Sequence, residues 1–318
     1  MRCVAITGVS GYLGSRLLHR LTRADGVERI VGIDLNPPRA ESPKLRFYRR
    51  DVREPFTDVM MENHVDAAVH LAFAVRPTHD VEGARQIDID GARNFIEACQ
   101  KASVECVVYL SSHTAYGPHP DNPVPLTEDA PLRPIRGFQY SWDKGEADRM
   151  FQDLMERCPD LCVNVVRACS ILGPEGIGSV STGMFQKVMI RLIGYDPLVQ
   201  FLHEEDLAEL MLTLIRSRKR GVFNAGGEGA LRYREVIAAT GRPCVPVPAK
   251  MLSLLLTLSW RLKLQSESPP GGLDFIKYPI VVSTEKVRKE VGFAFRYTTR
   301  ETLESYLGAA HRRRKGHS

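Results

Sequence analysis

The chain has 318 residues, 43% of them hydrophobic and 25% charged, with a formal net charge of +5. Such a chain is long enough for a large core and two lobes, its composition is ordinary for a soluble globular protein, and its modest charge gives no case for a nucleic-acid partner. Part of the excess charge lies in the tail His311-Arg312-Arg313-Arg314-Lys315, which reads as a solvated end.

The first half alternates strand and helix patterns. Arg2–Thr7 is a short β-branched run, and Leu13–Thr22 carries helical spacing. Arg29–Leu35, Lys44–Val52 and Asp66–Ala72 follow as strands two to four. Val81–Ala102 is a predicted helix and Glu105–Ser111 a fifth strand. Strands alternating with helices imply right-handed crossovers and a doubly wound parallel α/β sheet, buried on both faces. Pro118–Pro134 is a long Pro- and Asp-containing loop, of a kind that often carries function. Gln139–Glu156 reads as a helix and Cys162–Arg167 as a sixth strand. Beyond Gly173-Pro174 the segments suggest a smaller lobe, with strand returns such as Gly221–Ala225. The expected division is 1–167 and 168–318, with parts of the second returning to the first.

The seven cysteines (Cys3, Cys99, Cys106, Cys158, Cys162, Cys169 and Cys244) include no C-x-x-C pair, so neither a disulfide framework nor a metal site is expected. Several occupy apolar runs, where a free thiol behaves as a small hydrophobe, pointing to a reducing, cytoplasmic setting. The N-terminus enters a strand pattern at once, leaving no room for a signal peptide. The most apolar run, Met251–Trp260, is bounded by Lys250 and Arg261 and falls short of the ~18 residues of a membrane span. It leaves a peripheral membrane contact open. Core packing and the wall of a hydrophobic substrate site are its two other readings.

Two local patterns carry chemistry. Thr7-Gly-Val-Ser-Gly-Tyr-Leu-Gly14 joins the first strand to the first helix. Gly8 permits the tight turn, Gly11 admits a pyrophosphate close to the backbone, and Gly14 lets helix pack on strand. The helix N-terminus offers free N–H groups to the phosphates. Asp34, twenty residues beyond Gly14, can accept from both ribose hydroxyls and repel a 2′-phosphate, favouring NAD over NADP. Arg39 nearby softens that preference. Asp51-Val52 ends the third strand where an adenine edge can be held.

The second pattern is Tyr140-Ser-Trp-Asp-Lys144, which puts a phenol and an ammonium on one helix face. A phenol has an ordinary pKa of about 10, and a nearby cation favours its ionised form for proton transfer. Upstream, Tyr109-Leu-Ser-Ser-His-Thr-Ala-Tyr-Gly117 ends the fifth strand at the carboxyl edge, where open sheets bind ligands. One of Ser111 and Ser112 can donate to a substrate oxygen, the other capping the strand. His113 is a further acid/base candidate, though a strand-end histidine is more often structural.

These residues resemble the extended short-chain dehydrogenase/reductase superfamily, the NAD-dependent epimerase/dehydratase group. The resemblance runs through Thr7–Gly14, Asp34, Asp51-Val52, His70-Leu-Ala72, Ser111–Gly117, Tyr140–Lys144, Gly173-Pro174, Phe201–Ala208, Phe223–Gly227 and Gly292–Tyr297. It implies a Rossmann-type domain, a C-terminal substrate lobe and a homodimer paired through the Tyr140 helix. It places the catalytic groups at Ser112, Tyr140 and Lys144. Cofactor contacts are implied from Gly8, Ser10, Gly11, Tyr12, Leu13, Gly14, Asp34, Asp51, Val52, Leu71, Ala72, Tyr140 and Lys144, and substrate contacts from His113, Thr114 and Ser170.

Departures from the pattern bear on substrate. His113-Thr114 stand where sugar dehydratases carry Asp-Glu, so elimination is not expected. Ser170 replaces the Asn, and Pro197-Leu-Val-Gln200 the Arg-containing stretch, with which nucleotide-sugar epimerases grip their substrate. The segment from Glu175 to Gln200 is also short for a nucleotide-binding insertion. Asp88 replaces a common Asn, with no account from sequence. The expectation is an alcohol/ketone oxidoreductase whose small-molecule substrate lacks a nucleotide diphosphate and is hydrophobic or sterol-like. A nucleotide-sugar 4-epimerase and a non-catalytic dinucleotide sensor are the alternatives.

Overall fold

The computed structural model describes residues 2–176 and 185–315, with side chains through Arg313. The chain opens with β1 (Cys3–Thr7), α1 (Tyr12–Thr22), β2 (Arg29–Asp34), β3 (Leu45–Arg49), α2 (Thr57–Glu62) and β4 (Ala67–His70). Next come α3 (Val81–Arg85), a π-turn at Gln86–Asp90, α4 (Gly91–Lys101), β5 (Cys106–Ser112), α5 (Gln139–Arg157) and β6 (Cys162–Ala168). The remainder holds β7 (Ser170–Leu172), β8 (Met189–Leu192), β9 (Leu198–Val199), β10 (Phe201–His203), α6 (Glu204–Ser217) and β11 (Gly221–Ala225). It continues with β12 (Leu231–Arg232), α7 (Tyr233–Thr240), β13 (Cys244–Val247), α8 (Ala249–Arg261), α9 (Glu285–Val291) and α10 (Thr299–Lys315).

Seven parallel strands form the main sheet in the order β3-β2-β1-β4-β5-β6-β11. Side chains of β1 alternate between its two faces. Val4 and Ile6 join Leu17, Leu18 and Leu210 on one side, whereas Cys3 and Ala5 join Phe95, Phe151 and Leu154 on the other. A sheet covered on both faces explains why its strands read as unbroken apolar runs. Winding reverses between β1 and β4, so the carboxyl ends of these strands part and leave a crevice.

The expected single helix over Val81–Ala102 is interrupted by the π-turn. Its cause is visible at Asp88, which is buried and accepts the N–H of Ala74 at 2.6 Å. The third strand is shorter than its pattern suggested, ending at Arg49, because Asp51 turns out to pair with Arg53 at 2.6 Å.

The second half builds three two-stranded sheets, β10-β7, β12-β9 and β13-β8. It also sends β11 back to pair with β6, and α6 back against α1. That return is tied by Tyr12 to Glu204, Arg16 to Glu205 and Arg20 to Glu209. Part of the short segment before Gln200, residues 177–184, lies outside the described residues. No helix among the described residues is long and apolar enough to cross a membrane.

Candidate active site

The glycine turn is built for close approach. Gly8 has φ +73°, and a Cβ there would meet Ala72 N at 2.7 Å and Leu71 C at 3.0 Å. At Gly14 a Cβ would stand 2.1 Å from Gly8 O. Gly11 caps α1 without any side-chain cap, so the first N–H groups of the helix remain open toward the crevice. A cradle of bare backbone at a helix N-terminus fits a pyrophosphate. Ser10 and Asp34 brace the turn: the Ser10 N–H donates to Asp34 Oδ2 at 3.0 Å, and the Ser10 hydroxyl donates to Asn36 O. Asp34 Oδ1 accepts from Leu35 N at 2.7 Å and Asn36 N at 3.4 Å. A carboxylate offers about four acceptor sites, so the free position on Oδ2 is the one left for a ribose hydroxyl. Tyr12 is committed to Glu204, Leu13 packs on the core, and Val52 fills the space beside Gly91.

At the opposite lip, β5 and α5 bring the reacting candidates together. The Ser112 hydroxyl lies beside the Tyr140 phenol and acts to lower its pKa. Ser112 Oγ also accepts from Thr114 N at 3.2 Å and Thr114 Oγ1 at 3.0 Å. With both lone pairs engaged, the one proton of Ser112 is directed at the Tyr140 oxygen or at a ligand oxygen displacing it. Ser111 faces the other way and donates to Asp148 at 2.5 Å. Asp148 in turn holds the buried Arg167 guanidinium, at 3.0 Å from Nε and 2.9 Å from Nη2. Ser111 is therefore spent inside the fold, whereas Ser112 faces the Tyr140 side.

Tyr140 is pushed up to about 12 by burial, against the lowering effect of Ser112. Lys144 donates to Leu110 O at 2.6 Å and stands 3.6 Å over the Phe73 ring and 5.9 Å over that of Tyr140. Burial lowers its pKa, opposed by Asp88 and Asp148. Asp88 is pushed well up, first by burial and further by the adjacent Asp143 carboxyl, while Ala74 N–H and Lys144 oppose. Sequence reasoning missed this cluster, because Asp88 and Lys144 meet only through the π-turn. It also missed Ser141, whose hydroxyl donates to Thr114 O at 2.7 Å and accepts Ile135 N at 3.1 Å. That bond locks the first turn of α5 onto the Ser112–Thr114 segment.

His113 is buried, its Nδ1 has no hydrogen-bond partner among the described residues, and burial lowers it to about 4, which keeps it neutral. Ser170 is half-buried on β7 beside Phe201 and does not line the cavity at Tyr140. That cavity, of about 210 Å³, is bounded by Ala74, Arg76, Val81, Arg136, Phe138 and Trp260. Gln200 is buried and used internally: its amide donates to Gly227 O at 3.0 Å and accepts Val282 N at 2.9 Å. The Met251–Trp260 run is not core, since no residue of α8 is buried.

A switch-point glycine turn facing a Ser, Tyr and Lys set at the sheet's carboxyl edge defines a dinucleotide-dependent enzyme of the extended short-chain dehydrogenase type. The profile of the NAD dependent epimerase/dehydratase family matches residues 4–226, and the chain belongs to that family. Its cofactor is NAD. A Mycobacterium tuberculosis protein described as uncharacterized is 30% identical over 316 residues, covering 96% of this chain and 83% of that one. The UDP-glucose 4-epimerase of Azospirillum brasilense is 28% identical over 268 residues, covering 74% and 75%. Among solved structures, MoeE5 in complex with UDP-glucuronic acid and NAD superposes with a TM-score of 0.76 at 23% identity, covering 98% of this chain and 99% of that one. At that identity the likeness is one of fold.

Proposed function

We propose that the protein interconverts a secondary alcohol and a ketone, with Tyr140 as proton shuttle, on a substrate without a nucleotide diphosphate. The observation that supports this reading is the half-buried Tyr140 phenol on the wall of the cavity, with Ser112 beside it and the buried Lys144 one helical turn on. When bound, NAD supplies the hydride acceptor or donor. Ser112 donates to the substrate oxygen, its own oxygen being filled by Thr114. Tyr140 gives a proton to that oxygen in reduction and takes it in oxidation. A charged Lys144 favours the phenolate and offers donors to the cofactor ribose. Phe73 and Phe138 pack on the Tyr140 ring and reduce its contact with bulk water, which strengthens each charge interaction.

Substrate class rests on the lining. Gln200, at the place where a diphosphate grip is expected, is spent on backbone. The walls are largely apolar, and Arg76 and Arg136 add room for one anionic group. Those two cations, with the likeness to UDP-glucose 4-epimerases, favour a second reading, epimerisation of a nucleotide sugar. A thermal-shift screen separates the two: stabilisation by UDP-glucose or UDP-galactose beyond that given by UDP sinks the first reading. Accumulation of reduced cofactor with an apolar alcohol supports it, because an epimerase returns its hydride.

A further inference from the structure

Helix α8 turns its apolar side outward. Met251, Leu254, Leu255, Leu258 and Leu262 succeed one another at helical spacing, and all are exposed, Leu254 by 60% and Leu262 by 67%. A surface helix ordinarily keeps such a stripe against the core, and contiguous apolar surface marks an interaction face. The flanks are basic. Lys250 precedes the stripe, Arg261 and Lys263 close it, and all three are exposed. From Val236 to Ser266 the sequence carries four cations, Arg242 and these three, and no carboxylate. Beside the first turns of α8, a groove of about 440 Å³ is lined by Tyr195, Lys250, Ser253, Leu254, Thr257 and Lys277, with Lys277 paired to Asp274 at 2.8 Å and Lys250, Ser253 and Thr257 able to donate to phosphate oxygens.

We propose that this face docks on an anionic phospholipid bilayer. The leucines enter the acyl boundary, while Lys250, Arg261 and Lys263 meet headgroup phosphates. The helix lies on the membrane: its 13 residues span about 20 Å, against a hydrocarbon core of ~30 Å. Charge decides against a second copy of the chain as the occupant. Two-fold pairing of α8 would set Lys250 against Arg261 and Lys263 of the other copy, with no carboxylate on the helix to answer them. An anionic leaflet supplies that countercharge. The face of α8 opposite the stripe walls the active site. Trp260 of α8 lines the cavity at Tyr140, and Val81 of the same cavity is 44% exposed. Docking therefore sets the helix that walls the cavity on the lipid surface, whichever reaction runs inside it.

The test is co-sedimentation of the full-length protein with vesicles of phosphatidylcholine alone or mixed with phosphatidylglycerol. Wild type pellets with the anionic vesicles, less so as salt rises. The Leu254→Glu/Leu258→Glu variant binds at least about ten-fold more weakly per leucine. The Lys250→Glu/Arg261→Glu/Lys263→Glu variant loses about five-fold per cation. Both keep the wild-type Tm and NAD affinity, because every altered side chain is exposed. Wild type left in the supernatant overturns the proposal, as does binding retained by the leucine variant. A solution dimer that the leucine variant dissociates assigns the face to a second copy instead.

Discussion

Replacing Gly14 by Ala tests the cofactor cradle without touching any reacting group. The added carbon would stand 2.1 Å from Gly8 O and 2.7 Å from Val9 C and Cα. Non-bonded carbons settle at ~3.5–4.0 Å, so the turn must give by about 1 Å. All three atoms are backbone of the turn itself, and no side chain can rotate away. Overpacking of this kind costs about 1–3 kcal/mol, and the better helix propensity of Ala returns about 1 kcal/mol. The expected net loss, up to about 2 kcal/mol, lowers Tm by up to about 3 °C in a chain of this length. The same shift moves the first N–H groups of α1 off the pyrophosphate, and losing one hydrogen bond to a charged group weakens NAD at least about ten-fold. Gly272→Ala is the matched control: nothing lies within 4 Å of its added carbon, so its stability stays within about 0.5 kcal/mol of wild type. Scanning calorimetry and calorimetric NAD titration read both quantities. A Gly14→Ala protein with unchanged Tm and unchanged NAD affinity refutes the cradle.

Three further substitutions probe the surroundings. Asp148→Asn leaves the buried Arg167 without its countercharge, and chemical denaturation should report a loss of about 3–5 kcal/mol. Asp88→Asn removes the carboxylate that holds the Lys144 pKa up against burial. Lys144 then loses its proton at lower pH, so the falling alkaline limb of turnover moves to lower pH, and a limb left in place disproves the coupling. Asp34→Asn removes the negative charge facing a 2′-phosphate while keeping an acceptor for a ribose hydroxyl. The ratio of NADP to NAD affinity should rise about five-fold or more, and competitive titration that finds it unchanged removes Asp34 from cofactor selection.

The parts of the site legible in sequence are those whose logic is local. Gly8, Gly11 and Gly14 are separated by a single turn, and Tyr140 and Lys144 by one turn of helix, so spacing alone carries their geometry. Choosing Ser112 over Ser111 needed the family resemblance, whereas in the structure Asp148 claims Ser111 from the neighbouring helix α5. Asp88 was opaque because its meaning depends on Lys144 and Asp143, more than fifty residues away, and on a π-turn that keeps an ordinary helical periodicity in sequence. Phe73, under Lys144, follows a strand end with no pattern of its own. Helix α8 shows the converse limit: periodicity reveals an apolar stripe but not the direction in which the fold turns it. Arg76 and Arg136 likewise lie in unpatterned loops and share a cavity only because α5 and the segment after β4 converge.

The central claim is that Tyr140 moves the proton while the glycine turn holds the cofactor. Tyr140→Phe keeps a ring of the same shape against Phe73 and Phe138 and removes one hydroxyl. Turnover of an alcohol substrate and NAD binding, measured side by side on wild type and this variant, test the claim most directly. The expected result is a fall in kcat of about 10²–10⁴-fold with NAD affinity essentially retained. Unchanged turnover in Tyr140→Phe would contradict the account and place the proton transfer elsewhere.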